Sequence, residues 1–349
     1  MKALYNKVNK EVLKEKMLQS NEARTTLSFY KYHHIKNTRF FRDYLYFHLA
    51  NIHVCGRIYI ATEGVNGQIS VPDRNMDKFN KIFEDITFFS GIRRNYAIED
   101  DGKSFYVLKI KIRNKIVADG LDDSTFDSSK GGTHLSAEAF NELTDKEDAV
   151  IVDMRNHYES EVGHFKGAIT PDVETFRESL PIIEDMLEEH RDKHIIMYCT
   201  GGIRCEKASA YYKHKGFDKV YQLDGGIIEY ARQAKVSGLE NKFIGKNFVF
   251  DDRLGEAISE DIISQCHQCG EASARHTNCA NDACHLLFIQ CESCGTKFED
   301  TCSAKCKDHI QLPEDERKRL QGSVEFNGSK FGKGRYRAHN NKGISLKVD

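Results

Sequence analysis

The sequence predicts a multidomain chain, α+β in its head and α/β in its middle, ending in a small cysteine-rich metal-binding module. Three observations carry this reading. The chain has 349 residues, more than one compact domain of ordinary size holds. Its hydrophobic pattern changes from alternating strands and amphipathic helices to short continuous apolar strands followed by helices. Eight of its eleven cysteines fall between Cys266 and Cys306. Hydrophobic residues at 40% and charged residues at 30% exclude wholesale disorder. No apolar run is long enough to span a membrane, and the opening MKALYNKVNKEVLKEK carries charges where a signal peptide needs an apolar stretch. A cytoplasmic protein without a membrane segment is expected.

In the head, residues 1–120, TTLSFYKYHH reads as a strand and TRFFRDYLYFHLA as a helix. VCGRIYIA and NGQISV follow as strands separated at Glu63-Gly64-Val65, then MDKFNKIFEDI as an amphipathic helix and SFYVLKIKIR as the last strand. Strand–helix–strand–strand–helix–strand is the order of a ferredoxin-like α+β sandwich. Asp, Ser and Gly without periodicity make 121–135 a linker. Between 136 and 245, AVIVDM, HIIMY and KVYQLD read as strands of a helix-covered sheet, with IRCEKASAYYKHKG and GGIIEYARQAK as helices. Residues 246–310 form the cysteine-rich module, and 311–349 a basic tail.

The near-neutral total charge of −2 conceals an asymmetry: +8 over residues 1–120, −12 over 121–265 and +4 over 311–349. Basic ends around an acidic middle point to a shared polyanionic partner, a nucleic acid. Lys330, Lys333, Arg335 and Arg337 in the tail are the candidate phosphate contacts.

The most specific local feature is Met197-Tyr198-Cys199-Thr200-Gly201-Gly202-Ile203-Arg204-Cys205. A buried strand ends at a cysteine, two glycines allow a tight loop, and a helix begins near Ile203. Loop N–H groups and the positive end of the helix favour the thiolate, the reactive form. Arg204 can fix the loop or hold an anion. Four residues separate Cys199 from Arg204, one fewer than in a phosphatase loop, which makes a narrower cradle suited to a persulfide or small anion. Cys205 reads either as a resolving thiol or as helix packing.

Cys199 to Arg204 resembles the active loop of rhodanese sulfurtransferases. Val152-Asp153-Met154-Arg155…Glu159…Gly163-His164-Phe165-Lys166-Gly167-Ala168 and Leu223-Asp224-Gly225-Gly226 are similar to that family's other signatures. The resemblance implies a rhodanese-like α/β domain, Cys199 as nucleophile, and Asp153 and Arg155 as architecture behind the loop.

The spacing Cys266-x2-Cys269-x9-Cys279-x4-Cys284-x6-Cys291-x2-Cys294-x7-Cys302-x3-Cys306 offers two sites of four thiolates. Structural zinc suits such sites, with an iron–sulfur cluster as the alternative. Sequential and interleaved pairing of the four close pairs are both open. His267, His276, His285 and His309 could substitute for ligands or support them.

Together with Gly56-Arg57-Ile58-Tyr59-Ile60-Ala61-Thr62-Glu63-Gly64-Val65-Asn66-Gly67 and HTNCANDACHLLFIQC, these motifs make the chain similar, nearly end to end, to the bacterial rhodanese-domain proteins that hydroxylate the tRNA wobble uridine. That resemblance implies tRNA and molecular oxygen as partners and 5-hydroxyuridine as product. A persulfide sulfurtransferase in tRNA thiolation and a non-catalytic RNA-binding protein are the alternatives. No G-x-G-x-x-G follows a strand, so no dinucleotide is expected, and no pattern names an electron donor or an oligomeric state.

Overall fold

The computed structural model describes residues 4–121, 130–320, 324–328 and 335–336. Most of the 121–135 linker therefore lies outside the described residues, as do Lys330, Lys333 and Arg337 of the tail. The chain divides into two compact units. One comprises Met1–Ser160, His164–Phe243 and Asn247–Ile258; the other comprises Glu161–Gly163, Ile244–Lys246 and Ser259–Asp349.

The first unit begins with helix α1 (Lys10–Gln19) and a five-stranded sheet built from β1 (Arg24–Tyr32), β2 (Cys55–Ala61), β3 (Gly64–Pro72), β4 (Asn95–Tyr96) and β5 (Leu108–Ile112). Helices α2 (Thr38–Asn51) and α3 (Met76–Glu84) connect them. Asn37 caps α2 by accepting the Phe40 N–H, and Phe41, Leu45 and Leu49 recur at helical spacing on its buried face. Phe79 and Phe83 do the same for α3. These side chains meet Leu27, Phe29, Ile58 and Ile69 from the sheet in one core. Phe29 and Phe83 pack edge-to-face with centroids 4.9 Å apart. Alternation then directs Ser28, Tyr30, Arg57, Tyr59, Asn66 and Gln68 to the opposite, helix-free face.

The sheet order is β4-β1-β3-β2-β5. Four strands in the order 4-1-3-2 form the ferredoxin-like sandwich, but its fourth strand is Asn95–Tyr96. The SFYVLKIKIR segment supplies instead an added strand, β5, parallel to β2 on the other edge. Two polar residues in a charged stretch give no alternation to read, so the longer apolar segment drew the assignment. The break between β2 and β3 is also tighter than expected, because Gly64 and Val65 already belong to β3 and pair with β1 and β2.

Further along, β6 (Thr133–Leu135), β7 (Ala149–Asp153), β9 (His194–Tyr198) and β10 (Val220–Leu223) form a parallel sheet ordered β6-β10-β9-β7. Between them run α4 (Ala137–Thr144), α5 (His157–Ser160), the short strand β8 (Gly163–Phe165), α6 (Phe176–Leu187) and α7 (Ile203–His214). After β10 come α8 (Gly226–Ser237), β11 (Phe243–Asn247) and β12 (Glu256–Ala257). Val152, Ile195 and Met197 face α6 and α7, while Ile151, Ile196 and Tyr198 face α4 and α8. Burial on both faces explains why these strands read as continuous apolar runs. Helix α6 left a weak signal because Pro181 sits inside it.

In the second unit, β13 (His276–Asn278) pairs antiparallel with β14 (Leu287–Ile289) beside α9 (Glu292–Phe298), α10 (Ala304–Gln311) and α11 (Glu314–Leu320). Its apolar core is small: Leu286 and Phe288 pack among Cys279, Cys284, Cys302 and Cys306.

Candidate active site

Strand β9 ends at Tyr198 and delivers Cys199 to the start of a loop that turns into α7. Gly202 adopts φ +99°, and a Cβ there would lie 2.8 Å from the Tyr30 hydroxyl, so both the turn and the approach require glycine. The Gly202 N–H donates to Cys199 Sγ at 3.1 Å. Burial pushes the Cys199 thiol up, but hydrogen bonds from the Cys205 thiol and the loop N–H groups, with the Arg204 charge, bring it down to about 6. Cys205 itself is pushed well up by burial and by that hydrogen bond to Cys199. The structure thus brings the two sulfurs together, with Cys199 ionising first.

Arg204 is not an open anion cradle. Its guanidinium takes both oxygens of Glu159, at 2.7 and 2.8 Å, and stands 3.4 Å from the Thr200 hydroxyl. Burial opposes ionisation of Glu159, yet Arg204 holds its carboxyl below the usual range. In the sequence Glu159 stands only as one residue of the rhodanese-like signature; a carboxylate upstream of a loop arginine is the signal for this pairing. Behind the loop, fully buried Arg155 and Asp153 form a bidentate pair, and Asp153 also accepts the Tyr198 hydroxyl at 2.7 Å. The residue before Cys199 is fixed by that bond.

Cys199, Thr200, Gly201, Ile203 and Arg204 open onto a cavity of about 290 Å³. Its far wall is the helix-free face of the head sheet: Ser28, Tyr30, Arg57, Tyr59, Asn66 and Gln68. Asn95 donates to the Gly201 carbonyl at 3.2 Å, and Tyr30 donates to Glu206 of α7 at 3.0 Å. Buried Lys207, also of α7, meets Glu63 at 2.7 Å. Glu63 therefore ties the head to the thiol helix, while Gly64, Val65, Asn66 and Gly67 pair within the sheet as part of β3. On the same short helix as Glu159, His157 Nδ1 lies 3.0 Å from the Val173 carbonyl.

Among the described residues, two groups can hold a metal ion: Cys266, Cys269, Cys291 and Cys294, and Cys279, Cys284, Cys302 and Cys306. The close pairs are thus interleaved. The sulfurs crowd together, with Cys269 3.6 Å from Cys291 and Cys302 3.6 Å from Cys306. Asn327, Asn281 and the Gly328 N–H donate to sulfurs of the second set at 3.3–3.5 Å, as a thiolate set requires. His267, His276, His285 and His309 belong to neither set; His267 pairs with Glu161 at 2.8 Å.

A thiol loop of this form on a helix-covered parallel sheet defines a rhodanese-like protein, and residues 136–233 match the rhodanese-like domain model. Residues 24–116 match an acylphosphatase-like domain model, and 244–307 a rhodanese C-terminal one. Over nearly its whole length the chain is similar to proteins named tRNA uridine(34) hydroxylase: 52% identical to that of Photorhabdus laumondii, over 97% of this chain and 96% of the relative. It is 55% identical to that of Pectobacterium carotovorum, over 95% and 93%, and 52% to that of Escherichia fergusonii, over 100% of both. A solved rhodanese-like domain from Anabaena is 20% identical over 32% of this chain and 78% of that one, with a TM-score of 0.26. The chain belongs to the tRNA uridine(34) hydroxylase family.

Proposed function

We propose that this enzyme hydroxylates the wobble uridine of tRNA at C5 to give 5-hydroxyuridine, with molecular oxygen as oxidant and Cys199 as the reacting group. The observation that carries it is a thiol ionising at about 6 that opens into a base-sized cavity walled by amides and tyrosines. Thiolate addition to C6 of uracil would make C5 nucleophilic toward the oxygen donor, and elimination would return the thiolate. One oxygen atom enters the base; reducing the other to water takes two electrons from an external reductant. Tyr30 and Tyr59 offer aromatic surface for the base, and Gln68, whose Nε2 donates to Asn66 at 2.7 Å, offers its amide oxygen to the base edge.

The two four-cysteine sets would hold structural zinc, which supplies folding energy to a module with little apolar core. No described helix is long and apolar enough to cross a membrane; a cytoplasmic location remains part of this proposal, as do the phosphate contacts of Lys330, Lys333, Arg335 and Arg337. Mass spectrometry of wobble nucleosides from a deletion strain, complemented with wild type or Cys199→Ser, tests the reaction. Loss of 5-hydroxyuridine, restored only by wild type, supports it. Loss of thiolated uridine instead would favour the sulfurtransferase reading, which the rhodanese-like loop also accommodates.

A further inference from the structure

The registers of the head sheet align two rows of side chains across its helix-free face. Ser28 pairs with Gln68, Gln68 with Arg57, and Arg57 with Lys109. In the next row Tyr30 pairs with Asn66, Asn66 with Tyr59, and Tyr59 with Lys111. Residues paired across a ladder project to the same side, so each row is one continuous stripe. At its inner end stand Ser28 and Tyr30, in the wall of the cavity that holds Cys199. At its outer end Lys109 and Lys111 are exposed on the edge strand β5.

The chemistry changes along each stripe. Hydroxyls and amides line the sheltered end. The middle carries Arg57 and Tyr59, with the exposed Arg113 guanidinium 5.6 Å from the Tyr59 ring centroid. The outer end is ammonium. Two acids in the cavity wall, Asp251 and Glu256, both pair with Arg253, which offsets one of their two charges. Three strand spacings of about 4.8 Å separate the Tyr30 and Lys111 columns, about 14 Å in all, which is wider than one nucleotide step.

Resting on the tRNA reading above, we propose that this face is the path of the RNA strand into the site. The target base enters between Tyr30, Asn66 and Gln68, and the adjoining phosphates lie along Lys109, Lys111 and Arg113. A cationic edge beside aromatic and amide groups is the pattern that holds single-stranded nucleic acid. It also gives the basic head a location for its charge that the sequence count alone could not assign.

The test is the salt dependence of binding of the full-length protein to an unmodified transcript of a tRNA with uridine at position 34. Lys109→Ala/Lys111→Ala should weaken binding at least tenfold at physiological salt. It should also flatten the slope of log affinity against log salt by about 1.4, at ~0.7 per single-strand phosphate contact. Lys109→Arg/Lys111→Arg should keep the wild-type slope, which separates lost charge from a disturbed edge strand. A wild-type slope in the alanine variant overturns the path while leaving the tRNA reading intact. Failure of the wild type itself to bind the transcript overturns that reading as well.

Discussion

Arg204 grips Glu159 through both terminal nitrogens, and both groups are buried. The arginine thereby serves two neighbours: it neutralises Glu159 and lends its charge to Cys199.

Removing one member of that pair should cost more than replacing its geometry. Glu159→Ala strands a buried guanidinium and is expected to lose about 3–5 kcal/mol in urea denaturation. Arg204→Lys keeps the charge but not the planar fork, and should leave a folded protein with severely reduced hydroxylation. Wild-type activity in Arg204→Lys would show that the fork is dispensable.

The thiol at about 6 sets a pH dependence. Alkylation of Cys199 by iodoacetamide should rise with pH through about 6 and level off above it. Because the folded value lies below the ordinary value of about 9, the thiolate's stabilisation is fully present above 9 and lost as pH falls through 6. The stability gap between wild type and Cys199→Ser should therefore widen from pH 6 to pH 9. Cys199→Ser should fold and be inactive, since a serine hydroxyl stays protonated in this range.

Cys205 donates to Cys199, so its substitutions should separate by hydrogen bonding rather than by size. Cys205→Ser keeps a donor and should retain most activity. Cys205→Ala removes it, and the Cys199 alkylation midpoint should move above 6. Coincident midpoints in the two variants would show that the loop N–H groups and Arg204 suffice.

The interleaved cysteine sets predict about two zinc ions per chain and a definite pattern of loss. Cys279→Ser should reduce the metal to one equivalent and destabilise the small core around Leu286 and Phe288, into which Cys279 packs. Sequential pairing would make Cys279 and Cys269 share a site; the structure places them in different ones, so the double variant should bind none. Metal analysis of the purified single and double variants checks this, and visible absorption would point to iron and sulfur instead.

By itself the sequence determined the class of each module, because hydrophobic period and ligand spacing are local properties of the chain. Continuous apolar strands required helices on both faces, and a strand ending in Cys199-Thr200-Gly201-Gly202-Ile203-Arg204 required a thiol at a helix start. Its spacing also offered the eight cysteines as two sites of four. Only the tertiary structure decided what lies opposite those groups. Glu159 meets Arg204 across 45 residues of chain, and Tyr30 meets Glu206 across 176. The pairing of cysteines depends on the fold of the segments between them, and the place of β5 on sheet pairing rather than on its own pattern. The cavity at Cys199 has a wall from a strand whose outward residues look, in sequence, like ordinary solvated polar positions. Such contacts are long-range: they form only when packing of the apolar faces has fixed which polar face is left to look at the thiol.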